Sequence, residues 1–414
     1  MSGLGNAYAG AAALAEDAST VWWNPAGMAR LARGAHFLAG GHFIAPSTKF
    51  TNTGSVPAAA SNPALAGNGG DAGEDAFVPN LFFVTNVTQA LSFGFALNVP
   101  FGLKTEYEPD FVGRFQGLSS EVMTLNFNPA VSWKLSERAS VGLGLSWQRA
   151  EIDLLTAVNY SGIAFGTGGA LLLGLAGGPG VEGRNTTSLE GDGWGWNIGG
   201  LVDVLPRTRV GAHFRSSIKY HTEGNTSFTN VPAVLASAPA LSNGDVKLEL
   251  ETPASFSVSA VHQVTDRFDF LADVTWTQWS KISSLPILRT SGPADGTALD
   301  TLTFNFDDTW RVAVGVNYKL SGPLTLRAGV AYDQSPVPGA QERSVRLPDN
   351  DRYWLSLGLT WQPNALNRFD LGYTYIQIKD ADIDSDQAAR GRGIVRGTYE
   401  ADVNILSIQY QFSF

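Results

Sequence analysis

One feature limits this chain more than any other: apolar and polar residues alternate with a period of two from about Ala35 to the C-terminus. In "FDFLADVTWTQW" Phe268, Phe270, Ala272, Val274 and Trp276 share one face, and Asp269, Asp273, Thr275 and Thr277 share the other. In "WRVAVGVNYKL" Trp310, Val312, Val314, Val316, Tyr318 and Leu320 oppose Arg311, Gly315, Asn317 and Lys319. Side chains along a strand point alternately to the two faces of a sheet, so each run is a strand wetted on one side only. The pattern returns around Trp147, Tyr332, Trp361 and Tyr375.

The apolar faces begin or end on Trp or Tyr, the placement expected where strands cross the two membrane–water interfaces. Short links fall near Asn86, Ser136, Pro206, Asp266, Gly322 and Asn364. Between them lie long polar or Gly/Pro-rich stretches, roughly 49–76, 104–120, 156–187, 223–245, 283–300, 335–350 and 380–398. Seven long and six short connections join fourteen strands. An even strand count with alternately short periplasmic and long extracellular links is the plan of a bacterial outer-membrane barrel. The last strand, "NILSIQYQFSF", sets Leu406, Ile408, Tyr410, Phe412 and Phe414 on one face, and closure of the sheet removes its exposed edges. The predicted fold class is all-β, a fourteen-stranded antiparallel transmembrane β-barrel.

Composition agrees and excludes several function classes. The 414 residues include 46 Gly, 11% aromatics, 16% charged residues and no Cys, as expected of an exported all-β protein without a disulfide framework. Thiol nucleophiles and Cys-ligated metals are therefore ruled out. A net charge of -10 gives no basic footprint for nucleic acid. The longest apolar run, "ALLLGLAGG" from Ala170, is far shorter than the ~20 residues of a spanning helix. The opening "MSGLG" lacks a basic n-region and an apolar h-region, so a leader is expected to have been removed on the way to a Gram-negative outer membrane. His36, His42, His213, His221 and His262 show no paired metal spacing, no Gly-x-Ser-x-Gly elbow occurs, and Gly3-x-Gly5 lacks the third glycine of a dinucleotide fingerprint. No catalytic residue, metal or cofactor is expected.

Eight-stranded barrels are filled by side chains, whereas 16–18 strands leave an aqueous channel. Fourteen strands should leave a lumen that needs a plug. The first 34 residues are the sizeable segment outside the strand plan, small and Gly/Ala-rich up to "STVWWNPAGMARL". Residues 1–34 are therefore predicted to form a lumenal hatch and 35–414 the barrel. The hatch centres on Trp22, Trp23, Asn24, Pro25, Ala26 and Met28, with Trp22, Trp23 and Met28 as its apolar face.

"SGLGNAYAG" (Ser2 to Gly10), "AEDAST" (Ala15 to Thr20), "NPAGM" (Asn24 to Met28), "GVAYDQSPV" (Gly329 to Val337) and "LPDNDRYWLSLG" (Leu347 to Gly358) resemble the long-chain fatty acid transporter (FadL) family of outer-membrane hydrophobe channels. The resemblance runs in order along nearly the whole chain. Family chains usually carry several more residues before the Ser-Gly-Leu-Gly stretch, so a truncated start is expected. The resemblance implies capture of hydrophobes at an extracellular apolar groove, a lumenal pocket, and release through a wall opening at a kinked third strand.

In that family the groove is built by the third and fourth extracellular loops, here "GIAFGTGGALLLGLAGG" and "FTNVPAVLASAPAL". These implicate Phe165, Leu171, Leu172, Leu173, Leu175, Phe228, Val234 and Leu235 as groove residues. An exposed apolar patch marks an interaction site, although self-packing loops that only cap the barrel would read similarly. In the third strand, "LSFGFALNVPFGLKT", alternation runs to Asn98 and meets Pro100, Phe101 and Gly102, where strand pairing should break. Pro100 either interrupts the strand or simply ends it.

On the seventh strand Arg209, His213, Arg215 and Lys219 are expected on the lumen face, with Arg311 and Arg327 on others. Arg209, Arg215, Arg311 and Arg327 are candidate partners for a carboxylate headgroup. The stronger expectation is that they pair with lumenal acids such as Asp203, Asp269 and Asp273. The sequence thus reads as a monomeric, passive channel for hydrophobic molecules, long-chain fatty acids first and monoaromatic hydrocarbons second, embedded in outer-membrane lipid and lipopolysaccharide. A polar-solute porin and an outer-membrane lipid enzyme are the rivals.

Overall fold

The chain, described for residues 2–414 in a computed structural model, closes fourteen antiparallel strands into one barrel. They are β1 (Ala35–Asn52), β2 (Ala76–Asn86), β3 (Leu91–Asn98 and Gly102–Glu106), β4 (Ser119–Lys134), β5 (Ala139–Asn159), β6 (Glu182–Leu205) and β7 (Thr208–Arg215 and Ile218–Phe228). There follow β8 (Gly244–Thr252 and Ser255–Gln263), β9 (Phe268–Thr277 and Ser284–Arg289), β10 (Ala298–Thr303 and Thr309–Ser321), β11 (Leu324–Asp333), β12 (Arg352–Trp361), β13 (Asn367–Asp386) and β14 (Ile394–Ser413). Each strand pairs with its sequence neighbours, and β1 pairs with β14 from His36–Ser413 to Asn52–Gly397, which closes the sheet. No helix among the described residues is long and apolar enough to cross a membrane.

The outer wall carries the apolar band that the alternation requires, with Leu143, Val314, Leu357 and Ile408 exposed. Aromatics bound it on both sides: Trp133, Trp361 and Phe414 towards the short turns, Trp194, Trp310 and Tyr353 towards the long loops. Farther from the turns the chemistry of the two faces inverts while the pleat continues. On β5 the outward residues change from Val141, Leu143 and Leu145 to Glu151 and Asp153, and the inward ones from Gly142, Gly144 and Ser146 to Ala150, Ile152 and Leu154. The strand has left the lipid, so its outer face is polar and its inner face is free to be apolar.

That inversion also explains where the connections differ from expectation. Stretches 283–300 and 380–398, expected as loops, contain strand at both ends, because pairing continues above the membrane where an apolar outer face no longer signals it. Lys219, expected in the lumen, faces outward: β7 is interrupted at 216–217, and beyond the break Ile218 and Tyr220 are buried while Lys219 is exposed. The third long loop is a helix, α1 (Tyr160–Leu175), capped by Asn159 accepting from the Gly162 amide at 2.8 Å and kinked at Gly168 and Gly169.

Ahead of β1, the N-terminal segment folds into four short helical turns, Ser2–Asn6, Ala11–Leu14, Thr20–Trp23 and Pro25–Arg30. Lumen-facing glycines let it approach the wall around most of the circumference. A Cβ on Gly94 would lie 2.6 Å from Met28 Sδ, on Gly142 2.4 Å from the Ala26 amide, on Gly199 2.0 Å from Asn24 Oδ1, on Gly211 2.0 Å from the Ala12 carbonyl, and on Gly329 2.3 Å from Asn6. No side chain fits in those gaps, so glycine is required on the inner face of β3, β5, β6, β7 and β11.

Candidate functional site

The third strand is interrupted, not ended, at residues 99–101. From Leu91 to Asn98 it pairs with β4, and it pairs with β4 again from Gly102 to Glu106. Towards β2 its ladder stops at Leu97–Leu81. β2 begins earlier, at Ala76, so its stretch Ala76–Asn80 pairs with β1 and has no strand on its other side. Pro79 and Pro100, which lack an N–H, flank the unpaired edges. One bridge, Gly73–Thr105, rejoins the wall above. Phe101 stays tied to β4, its amide donating to Thr124 Oγ1 at 3.0 Å and its carbonyl accepting from the Thr124 amide at 3.0 Å. A Cβ on Gly102 would meet nothing within 4 Å.

Near this break lies a buried apolar cluster. Inward side chains of β5 to β9, among them Ile152, Leu154, Leu189, Leu248, Leu250 and Ile287, form it, with Val122, Leu285 and Leu302 packed on it. The Phe101 ring meets Trp279 edge to face at 6.1 Å, and Trp279 meets Phe306 at 6.2 Å. Trp279 and Phe306 sit in the interruptions of β9 and β10, so three strand breaks are joined by aromatic contact. Beside them runs a hydrogen-bonded row: Tyr220 Oη donates to Gln148 Oε1 at 2.5 Å, Gln148 Nε2 to Asn126 Oδ1 at 3.0 Å, and Asn126 Nδ2 to Asn98 Oδ1 at 2.8 Å. Asn98 thus joins the break to Tyr220, a member of the apolar cluster.

At the mouth, the third and fourth loops pack together. Tyr160, Ala164, Ala176 and Leu235 form a buried cluster with Leu172 and Val234 against it. Phe165 is 50% exposed, Leu171 77% and Leu175 66%, a row of apolar side chains left open to solvent. Leu173 and Phe228 are half-buried, and the Arg289 guanidinium stands 5.7 Å from the Phe228 ring.

The N-terminal residues singled out by sequence meet in the lumen. Asn24 Nδ2 donates to the carbonyls of Ala12 at 2.7 Å and Gly200 at 3.0 Å, while its Oδ1 accepts from the Ala26 amide at 3.0 Å. Pro25 opens the last helical turn, where a missing N–H costs nothing. Met28 packs with Val21, Leu38, Phe82 and Val84, with Trp22 alongside, and Trp23 meets Tyr8 at 4.7 Å.

All four arginines weighed for a headgroup reach the N-terminal segment. Arg209 pairs with Asp203 at 2.8 Å and donates to the Leu14 carbonyl. Arg215 stacks on Trp22 at 3.4 Å and donates to its carbonyl at 2.9 Å. Arg311 donates to the Ala7 carbonyl at 2.7 Å, and Arg327 pairs with Glu16 at 2.7 Å. Asp269 pairs with Lys319 at 3.8 Å, and Asp273 accepts from Ser259 and Thr275.

The residues of the apolar cluster, the aromatic contacts of Trp279 and Phe306, and the glycine seats were not identified from the sequence. The cluster had a signal, the inversion of face chemistry within "SWQRAEIDLL". No group of His, Asp or Glu among the described residues is arranged to hold a metal ion.

Comparison with known proteins agrees with this architecture. The family model described as outer membrane protein transport protein (OMPP1/FadL/TodX) matches residues 1–414. Outer membrane protein P1 of Haemophilus influenzae is 30% identical over 439 residues, covering 100% of this chain and 93% of its own. The long-chain fatty acid transport protein of Escherichia coli K12 is 31% identical over 403 residues, covering 91% and 85%. A Pseudomonas aeruginosa FadL homologue superposes with a TM-score of 0.89 at 23% identity, covering 100% of this chain and 98% of that one. The P. putida toluene transporter TodX gives 0.69 at 18%, covering 99% of each. The chain belongs to the OMPP1/FadL/TodX family of outer-membrane transport proteins.

Proposed function

We propose that this chain is a passive, monomeric channel that carries long-chain fatty acids across the outer membrane and releases them sideways into the bilayer. The observation that carries the reading is the nearness of a buried apolar cluster to a break in the β2–β3 ladder at the height of the lipid-facing Met123, the partner of Gly102. The exposed row of Phe165, Leu171 and Leu175 is the capture groove. Residues 1–34 are the hatch that keeps the periplasmic mouth closed to polar solutes, held by the arginines that contact them. Lipid and lipopolysaccharide cover the outer wall, and no chemistry is performed on the cargo.

Cells lacking their own fatty-acid uptake test this directly. Expression of the chain is expected to restore uptake of labelled oleate, and oleate or a similar acid should be recovered by mass spectrometry from the purified protein. Transport of toluene without oleate would move the cargo to monoaromatic hydrocarbons, liposome swelling in sugars would make the chain a polar porin, and hydrolysis of phospholipid would make it an enzyme.

A further inference from the structure

The periplasmic end of the barrel carries surplus positive charge, on a chain whose net charge is -10. The acids nearest the short turns are already held: Glu137 by Lys134 at 2.7 Å, Asp203 by Arg30 at 3.0 Å and Arg209 at 2.8 Å, Asp266 by Arg207 at 2.8 Å, and Asp269 by Lys319 at 3.8 Å. Arg138 and Arg267 are exposed and form no ion pair among the described residues. Arg207 is exposed too, and its partner Asp266 is 85% exposed, so water screens that pair and leaves the guanidinium available.

These three arginines are arranged, not scattered. They occupy the successive short turns β4–β5, β6–β7 and β8–β9, each two strands from the next, about 10 Å. The other short turns, at 86–90, 322–323 and 362–367, carry no charged residue, so the cations form an arc on one side of the rim. Within three residues of each stands an exposed aliphatic side chain that ends the lipid-facing wall: Leu135, Leu205 and Val264.

The far end of the same wall has the opposite sign. Above the lipid the outward residues of β4 to β7 include Glu121, Glu151, Asp153, Glu190 and Glu223, all exposed, with Arg149 between Glu151 at 3.5 Å and Glu190 at 2.5 Å. Glu151, Glu190 and Glu223 lie straight across the sheet from one another, a register in which like charges repel. A phosphate is therefore repelled on the lipopolysaccharide side of these strands and attracted on the periplasmic side, where the leaflet is phospholipid. Guanidinium groups bind phosphate through paired N–H bonds, and cations at a membrane surface draw anionic lipid.

We propose that the arc of Arg138, Arg207 and Arg267 is a binding surface for anionic phospholipid of the periplasmic leaflet. The lipid phosphates sit on the guanidinium groups and the acyl chains lie on the outer wall from Leu135, Leu205 and Val264 upwards. The surface is outside the lumen and independent of the cargo.

The test is competition among lipids. Wild type and the triple variant Arg138→Gln, Arg207→Gln, Arg267→Gln are to be held in mild detergent with equal amounts of phosphatidylglycerol, phosphatidylethanolamine and lipid A, and the lipids retained by each barrel counted by native mass spectrometry. Wild type is expected to prefer phosphatidylglycerol over phosphatidylethanolamine by about tenfold or more and the triple variant by no more than about twofold, since each surface cation is worth about a fivefold preference. The single variants Arg138→Gln and Arg267→Gln, which break no ion pair, should each lose about one such step, and heat-modifiable migration on gels reports that every barrel is folded. Raising salt from about 0.1 M to about 1 M, which shortens the screening length from about 10 Å to about 3 Å, should erase the wild-type preference. Equal retention of the two phospholipids by the wild type, a preference that survives the triple substitution, or selective retention of lipid A in their place each overturns the surface.

Discussion

Arg327 holds the carboxylate of Glu16 with both terminal nitrogens, Nη1 at 2.7 Å and Nη2 at 3.0 Å, across 311 residues of sequence. The first residue belongs to β11, the second to the N-terminal segment. Arg368 of β13 adds a contact to Glu16 at 3.4 Å. Burial alone would raise the Glu16 carboxyl, but the two arginines outweigh it and hold it down at about 2, against 4.5 for a free side chain. The barrel wall thus grips the segment by charge-assisted bonds.

The first prediction concerns pH. Because the folded group titrates below the unfolded one, its stabilisation is complete above about pH 4.5 and is lost as pH falls towards 2. Given its partial exposure, the grip is worth about 1–3 kcal/mol. Planar-bilayer recordings are expected to show a quiet channel at neutral pH and ion-conducting bursts below about pH 4, and Glu16→Gln should burst already at neutral pH. A Glu16→Gln protein that stays ion-tight would remove the carboxylate from the role of clamp.

A second prediction follows from the glycine seats. Gly199→Ala and Gly211→Ala each push a methyl group to 2.0 Å from the N-terminal segment, against Asn24 Oδ1 and the Ala12 carbonyl. The segment must shift, and the Asn24 hydrogen bonds strain or break at about 1 kcal/mol each. Gly200→Ala is the control, since a Cβ there meets nothing within 4 Å. Heat-modifiable migration on gels should show all three barrels folded, with passage of small antibiotics raised in the first two only. Equal passage in all three would mean that the close approach does not seat the segment.

At the mouth, Leu171 and Phe165 are open to solvent, so Leu171→Asp with Phe165→Ser should change stability by no more than about 0.5 kcal/mol each. Capture should suffer instead. The concentration of oleate giving half-maximal uptake is expected to rise several-fold with the maximal rate preserved. An unaltered concentration dependence would reduce the loop cluster to a cap.

The legibility of this molecule in its sequence follows the environment of each residue. Within the lipid, one face of every strand must be apolar, so Val141 to Trp147 or Tyr353 to Trp361 declare both the strand and its orientation. Above the lipid that constraint lapses. Ile152 and Leu154 still alternate with Glu151 and Asp153, but inwards, and the strands of 283–300 and 380–398 read as loops. Lys219 was misplaced by a two-residue interruption, because period-two reasoning carries no memory across a break. Arg215, Arg311 and Arg327 were legible as lumenal, whereas Trp22, Ala7 and Glu16 as their partners were not, since those contacts join residues nearly 200 to more than 300 apart in sequence.

The break in β3 yields the last prediction. A cargo with a long alkyl tail loses about 0.8 kcal/mol for each methylene exposed to water, so departure through the periplasmic mouth forfeits much of what holds it, and departure into the bilayer does not. The unpaired stretch Ala76–Asn80 and the interruption at 99–101 leave the β2–β3 wall unzipped near the buried apolar cluster. Replacing Pro100 by Val and Gly102 by Thr supplies a backbone donor and two residues that favour a pleated ladder, and the open space around Gly102 leaves room for the larger side chain. The double variant is expected to insert normally and to bind oleate at its loops with unchanged affinity, while uptake falls at least several-fold. Amide exchange across residues 98–104 should slow in parallel, as newly made hydrogen bonds protect the segment. If exchange slows and uptake does not, the cargo leaves by another route.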